Sequence, residues 1–112
     1  MQSKWMLAAF AVALVLSTPW AAQAFECPKH IEAAEDATDA ANDAMIGLKT
    51  DLHMQRGHIL LDDAKMLLAS AEHNHKKPQN ALDHARSIAK ADAAKGYALA
   101  ALIYFKKFGS KK

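Results

Sequence analysis

Cysteine is almost absent from this chain of 112 residues, which contains Cys27 and no other. A lone cysteine excludes an intramolecular disulfide and leaves three roles open: a free thiol, a disulfide to another chain or a metal ligand. The alternation of apolar and polar residues that is typical of β-strands is also missing. A β fold is therefore excluded, and the core must be formed by the apolar faces of helices.

Recognisable catalytic motifs are missing as well. The sequence has no HExxH, no glycine-rich phosphate loop, and no Ser-His-Asp or Cys-His arrangement with a third orienting group. The segment Cys27 to His30 lacks the second cysteine that covalent haem attachment needs, so haem binding through a Met/His pair is an alternative without a supporting spacing. A net charge of only +2 gives no field that would favour nucleic acid. We predict neither an enzyme nor a nucleic-acid-binding protein.

The longest apolar run, Trp5 to Leu16, is too short to span a bilayer, which takes about 20 apolar residues. Lys4 precedes the run, and the small residues at Ala22 and Ala24 form a signal-peptidase pattern. We therefore predict a signal peptide over residues 1–24, cleaved after Ala24, and no stable membrane insertion. A single helical domain over residues 25–112 would then be periplasmic or secreted.

The periodicity of the remaining chain predicts two helices before residue 77. The first should run from Pro28, which suits a first helical position, to Ile46, before a stop at Gly47. The second should be capped by Thr50 or Asp51, weakened near its start by Gly57, and end near residue 73. The predicted buried faces are Ile31, Ala34, Thr38, Ala41, Met45 and Leu48 in the first helix, and Leu60, Leu61, Ala64, Leu67, Leu68 and Ala71 in the second.

Pro78 ends the second helix, and Asn80 followed by Asp83 predicts the cap of a third helix over residues 81–107. Asp92 falls within the predicted apolar stripe and needs a partner, for which Thr38 or Lys65 is placed suitably. The lysines after residue 109 are expected to fray. The stripe predicted for the third helix comprises Leu82, Ala85, Ala89, Gly96, Ala100 and Ile103.

Short turns between long amphipathic helices predict an all-α fold, an up-down-up antiparallel three-helix bundle. A four-helix count is the fallback if Gly57 breaks the second helix. In such a bundle, the start of the first helix, the end of the second and the start of the third lie at one end.

That end collects the candidate site, namely His73, His75 and His84, joined by His30 and Cys27. Imidazole and thiolate suit a transition-metal ion, with copper favoured and zinc or nickel as alternatives. The competing interpretation is a set of surface histidines favoured near a helix C-terminus. A weaker candidate, with methionine and histidine ligands, lies at the opposite end of the bundle; it comprises Met45, His53, Met54 and His58.

The C-terminal turns combine aromatic residues with lysines. The apolar members are Tyr97, Leu102, Tyr104, Phe105 and Phe108. They either complete the core or form an exposed patch that pairs two protomers or contacts a partner protein. The second option gives the alternative function, a metal-free protein-interaction module of the cell envelope that acts through this aromatic-basic end.

Three stretches carry a resemblance to a known family: His30 to Ala37, Arg56 to His58, and Leu82 to Ala98. In them the chain resembles the small metal-binding protein family, short exported helical bundles rich in alanine and histidine. The resemblance implies binding of divalent ions, copper prominently, with His30, His58 and His84 in matching contexts. Together with the histidine end, it predicts a metal buffer or carrier.

Overall fold

The computed structural model describes the backbone of residues 20–112 and the side chains from Glu26 onward. This part of the chain forms three helices and no strand: α1 (Trp20–Ile46), α2 (Leu52–Lys76) and α3 (Ala81–Phe108). The all-α prediction and the count of three helices are confirmed. Most of the predicted signal peptide, residues 1–19, lies outside the described residues. None of the described helices has the length and apolarity needed to cross a bilayer.

The helix α1 begins at Trp20, well before Pro28, so the predicted start was wrong. Pro28 lies inside the helix rather than at its first position. A proline there has no N–H to donate to the carbonyl of Ala24, and its ring crowds that carbonyl. The helix tolerates this interruption near its beginning and ends at Ile46, as predicted.

The helix α2 is continuous, so the four-helix fallback was wrong. The Asp51 side chain caps it by accepting a hydrogen bond of 2.9 Å from the backbone N–H of Met54. Gly57 is buried and faces Phe105: a Cβ added at Gly57 would lie 2.3 Å from the Phe105 Cε1 atom. The glycine thus permits close contact with an aromatic ring of α3, and this packing outweighs its low helix propensity.

The helix α3 buries the face opposite to the one predicted. Leu82 and Ile103, from the predicted stripe, are 55% and 64% exposed. Residues two positions apart point in nearly opposite directions on a helix, about 200° apart. A shift of two positions therefore exchanges the buried and exposed faces. The face that is buried comprises Asp83, His84, Ser87, Ala91, Ala94, Ala98, Ala101 and Phe105.

Alanine dominates the core, and its small side chain lets the helices approach closely. Near one end, Ile31 of α1, Ala71 of α2 and Ala91 of α3 pack together. Near the other, Ala41, Leu61 and Phe105 do so, with Leu48 beside them. Both clusters draw on all three helices, and α3 packs extensively on α1 and on α2, which contact each other less. The helices thus run as an antiparallel series in which α3 holds the other two together.

The C-terminal segment after α3 is not frayed, contrary to the sequence prediction. The backbone N–H of Lys49 donates to the carbonyl of Ser110 over 2.8 Å, and that of Lys112 donates to the carbonyl of Gly47 over 3.3 Å. Leu48 and Lys111 thereby form an isolated antiparallel bridge. These backbone hydrogen bonds hold residues 110–112 against the turn between α1 and α2.

Candidate metal centre

One thiol and two imidazoles from three different helices meet at one end of the bundle. Cys27 belongs to α1, His75 to the last turn of α2 and His84 to the beginning of α3. One ligand atom of each lies within 4.8 Å of the others. Cys27 is fully buried, His84 is 4% exposed and His75 is half-buried. Among the residues that the structure describes, this is the one group of three or more His, Cys, Asp or Glu donors so close together.

The Cys27 thiol sits between α1 and α3. Its Sγ lies 3.9 Å from Nδ1 of His84 and donates a hydrogen bond of 3.3 Å to the His84 backbone carbonyl. Burial raises the pKa of the Cys27 thiol above its ordinary value of 9.0, an effect that a hydrogen bond with Ser87 partly opposes. The thiol is therefore protonated at neutral pH, and a metal ion has to displace its proton.

His75 contributes a nitrogen that lacks a partner. Its Nδ1 atom is buried and makes no hydrogen bond within the described part of the chain. The His75 ring stands edge-on to that of His84, with ring centroids 6.1 Å apart and an interplanar angle of 70°. A buried unpaired polar atom costs about 1–3 kcal/mol, a cost that a bound ion would remove. The Nδ1 atom of His75 could therefore bind an ion directly.

His84 is held by the capping network of α3. Asp83 Oδ2 accepts a hydrogen bond of 2.7 Å from the backbone N–H of Gln79, and Asp83 Oδ1 accepts one of 3.0 Å from Arg86 Nη1. The hydrogen bond from Gln79, and then that from Arg86, lowers the pKa of the Asp83 carboxyl. Asn80 occupies the predicted cap position, but its side chain makes no capping hydrogen bond. Asp83 instead fixes the turn that presents His84.

Two of the five predicted ligands lie outside the cluster. His73 is exposed, because its position two residues before His75 directs it to the opposite side of α2. His30 turns towards α3, where its Nδ1 lies 2.6 Å from Asp92 Oδ1. Asp92 is thus paired with His30, not with Thr38 or Lys65 as the sequence suggested. The structure brings together Cys27, His75 and His84, and leaves His73 and His30 apart.

The histidines at the other end of the bundle have other contacts. His53 Nδ1 lies 3.2 Å from the Tyr104 hydroxyl, and its ring stacks on Phe108 with centroids 5.6 Å apart. His58 Nε2 lies 3.5 Å from Asp62 Oδ1, one helical turn further along α2. Met45 and Met54, which completed the weaker candidate site, pack partly buried against the core.

A groove with a volume of about 230 Å³ opens beside His75. Glu35 and Glu72 line it, with the Glu35 pKa raised chiefly by a hydrogen bond to Glu72 and further by burial and neighbouring carboxylates. The half-buried His75 lines this groove, whereas Cys27 and His84 do not. Sequence reasoning missed the pairing of Glu35 with Glu72, because the two residues come from separate helices with no local motif.

No known protein family, curated protein or solved structure matches the chain. The resemblance to the small metal-binding proteins therefore stays a prediction. Of the three residues in matching contexts, His84 belongs to the cluster, whereas His30 and His58 are paired with carboxylates. Support for metal binding comes from the geometry of the cluster.

Proposed function

We propose that this chain is a small exported helical-bundle protein that binds one transition-metal ion, of the copper or zinc class, as a buffer or carrier. The ligands are Cys27, His75 and His84. The observation that carries the proposal is their convergence from three helices, with ligand atoms within 4.8 Å of one another. Export is supported by the signal-peptide pattern in residues 1–24.

The spacing of the donors suits a metal ion. Three donors that are each about 2.0–2.3 Å from an ion stand about 3.5–4.0 Å from one another in a trigonal arrangement. The distance of 3.9 Å between Cys27 Sγ and His84 Nδ1 falls within that range. The longest separation allowed within the group, 4.8 Å, requires a contraction of about 1 Å, which side-chain rotation can provide.

The surroundings fit ion binding better than a structural role. A cysteine and two histidines are an unnecessary choice for an alanine-lined core, since apolar side chains would fill the same space without unpaired polar atoms. No hydrogen bond within the described part of the chain engages the Nδ1 nitrogen of His75, so this nitrogen is available to bind an ion. The half-buried His75 also lines the adjoining groove.

The test is native mass spectrometry of protein purified from cells that express the full chain, after reduction and without oxygen. Cu(I), Zn(II) and Ni(II) are added separately. We expect at least one of them to bind as a single ion per chain, and we expect this binding to be lost in Cys27→Ser and in His75→Ala. His73→Ala is the matched control, because His73 is exposed two positions from His75, and it should bind like the unmodified protein. No one-to-one complex with any of these ions would contradict the proposal.

A second candidate function rests on the exposed apolar residues near the end of α3. Ile103 is 64% exposed and Phe108 is 44% exposed, beside Lys106 and Lys107. A metal-free interaction module would use this surface to pair protomers or to bind a protein partner. Ile103→Ser should then abolish self-association or partner binding in sedimentation and pull-down measurements, at unchanged melting temperature. A protein that is monomeric and partnerless before substitution would exclude this function.

A further inference from the structure

We infer that the ion held by Cys27, His75 and His84 is monovalent copper, Cu(I), rather than a divalent ion. The inference rests on the proposed function and specifies which class of ion the same three residues take. Charge, number of donors and burial each point to this class.

Charge balance favours a monovalent ion. The bound site would contain one thiolate from Cys27 and two neutral imidazoles, a total ligand charge of one negative unit. With Cu(I) the ion and its three ligands together are electrically neutral, whereas Zn(II), Ni(II) or Cu(II) leaves one uncompensated positive charge. Cys27 and the neighbouring Ser87 and Ala71 are fully buried, and His84 is 4% exposed. An uncompensated charge in such a position carries a desolvation penalty that a neutral complex avoids.

The carboxylates near the site do not belong to the donor group. Glu35 and Glu72 line the open groove beside His75 and lie outside the group formed by Cys27, His75 and His84. Asp83 is engaged by the Gln79 backbone and by Arg86. The negative charge immediately available to the ion is therefore that of the Cys27 thiolate.

The number of donors gives the same answer. The described cluster has three donors, whereas zinc is almost always four-coordinate. Zinc would need a further ligand, such as water from the groove. Thiolate and imidazole suit both copper and zinc, so the type of donor does not separate the two ions and the number of donors does. The three donors of this buried group, taken with the charge balance, therefore favour Cu(I).

The decisive experiment compares two affinities. Protein from cells that express the full chain is reduced and kept without oxygen. Cu(I) is titrated in competition with bathocuproine disulfonate, and Zn(II) in competition with a chromophoric zinc chelator. We expect one Cu(I) per chain, with a dissociation constant at least about 1,000-fold below that of Zn(II). Cys27→Ser should remove this preference, and His73→Ala should keep it.

The coordination sphere supplies an independent readout. X-ray absorption of the Cu(I) protein should show a three-coordinate ion with one sulfur and two nitrogen ligands. Two sulfur ligands would mean that two chains share the ion through their cysteines, which would overturn the inference.

The outcomes separate the inference from the function on which it rests. If Zn(II) binds as tightly as Cu(I), and Cys27→Ser abolishes both, the choice of Cu(I) is wrong and the proposed metal site stands. If Cu(I), Zn(II) and Ni(II) all fail to bind one to one, the proposed function itself fails. Cu(I) binding that survives both Cys27→Ser and His75→Ala would place the ion elsewhere and overturn both.

Discussion

Cys27 Sγ and His84 Nδ1 lie 3.9 Å apart although 57 positions separate the two residues in the chain. Their proximity requires α1 and α3 to be docked, so the cluster exists only in the folded state. An ion that binds there therefore binds the native chain and not the unfolded one, and its binding energy adds to folding stability.

The first prediction concerns stability with and without metal. An ion that binds only the native state at a free concentration about 100 times its dissociation constant should raise the free energy of unfolding by about 2.7 kcal/mol. Thermal melts followed by circular dichroism should show a higher melting temperature with metal, reversed by a chelator. Cys27→Ser should show no increase, whereas His73→Ala should behave like the unmodified chain. An equal increase in Cys27→Ser would show that the ion stabilises through other residues.

The second prediction concerns the proton on Cys27. Because burial raises the pKa of its thiol above 9.0, metal binding near pH 8 has to expel this proton. The apparent affinity should rise about tenfold per pH unit below that pKa. Calorimetry in buffers with different ionisation enthalpies should report about one proton released by the thiol for each ion bound at pH 8. Binding that is independent of pH between 7.5 and 8.5 would show that the thiol is not a ligand.

The sequence predicts those features of the fold that have local causes. Asp51 caps α2 because its side chain reaches an N–H three residues ahead, a relationship visible in the sequence. The buried face of α2 is also predictable, since leucines stand out from polar neighbours. The end of the bundle that holds the candidate site follows from helix order alone.

The face of α3 could not be predicted, because alanine lies on nearly every side of this helix and periodicity has little contrast. The prediction placed the larger residues Leu82 and Ile103 on the buried face of α3. Close packing of the helices favours smaller side chains there, and these two residues remain exposed. Similarly, the spacing of His73 and His75 in the sequence did not indicate which of the two imidazoles reaches the cluster. The separation depended on α2 continuing helically to Lys76, which directs the two imidazoles to different sides.

A third prediction follows from the cap of α3. The lowered pKa of Asp83 means that its charged form stabilises the folded chain. This stabilisation is complete above the ordinary pKa of 3.8 and is lost as the pH falls through the lower pKa of the native state. In the metal-free protein, Asp83→Asn should lower the melting temperature at pH 7, and the difference should shrink below pH 3.8. The control is Asp43→Asn, at an exposed position of α1, which should change the melting temperature little.

The fourth prediction compares the effect on stability of alanine at Gly57 and at Gly96. At Gly57 an added Cβ would lie 2.3 Å from Phe105 Cε1, whereas at Gly96 nothing lies within 4 Å. Both glycines are helical, and no described glycine has a positive φ, so the backbone accepts alanine at either position. Gly96→Ala should therefore raise the free energy of unfolding by up to about 1 kcal/mol through helix propensity.

Gly57→Ala gains the same propensity but forces the Phe105 ring out of its place in the core. Overpacking of this kind costs about 1–3 kcal/mol, so the net effect should be destabilising. Urea denaturation of the two variants measures both changes. Equal stabilisation by both substitutions would show that Phe105 can move without loss, and that Gly57 is not kept small by the contact between α2 and α3.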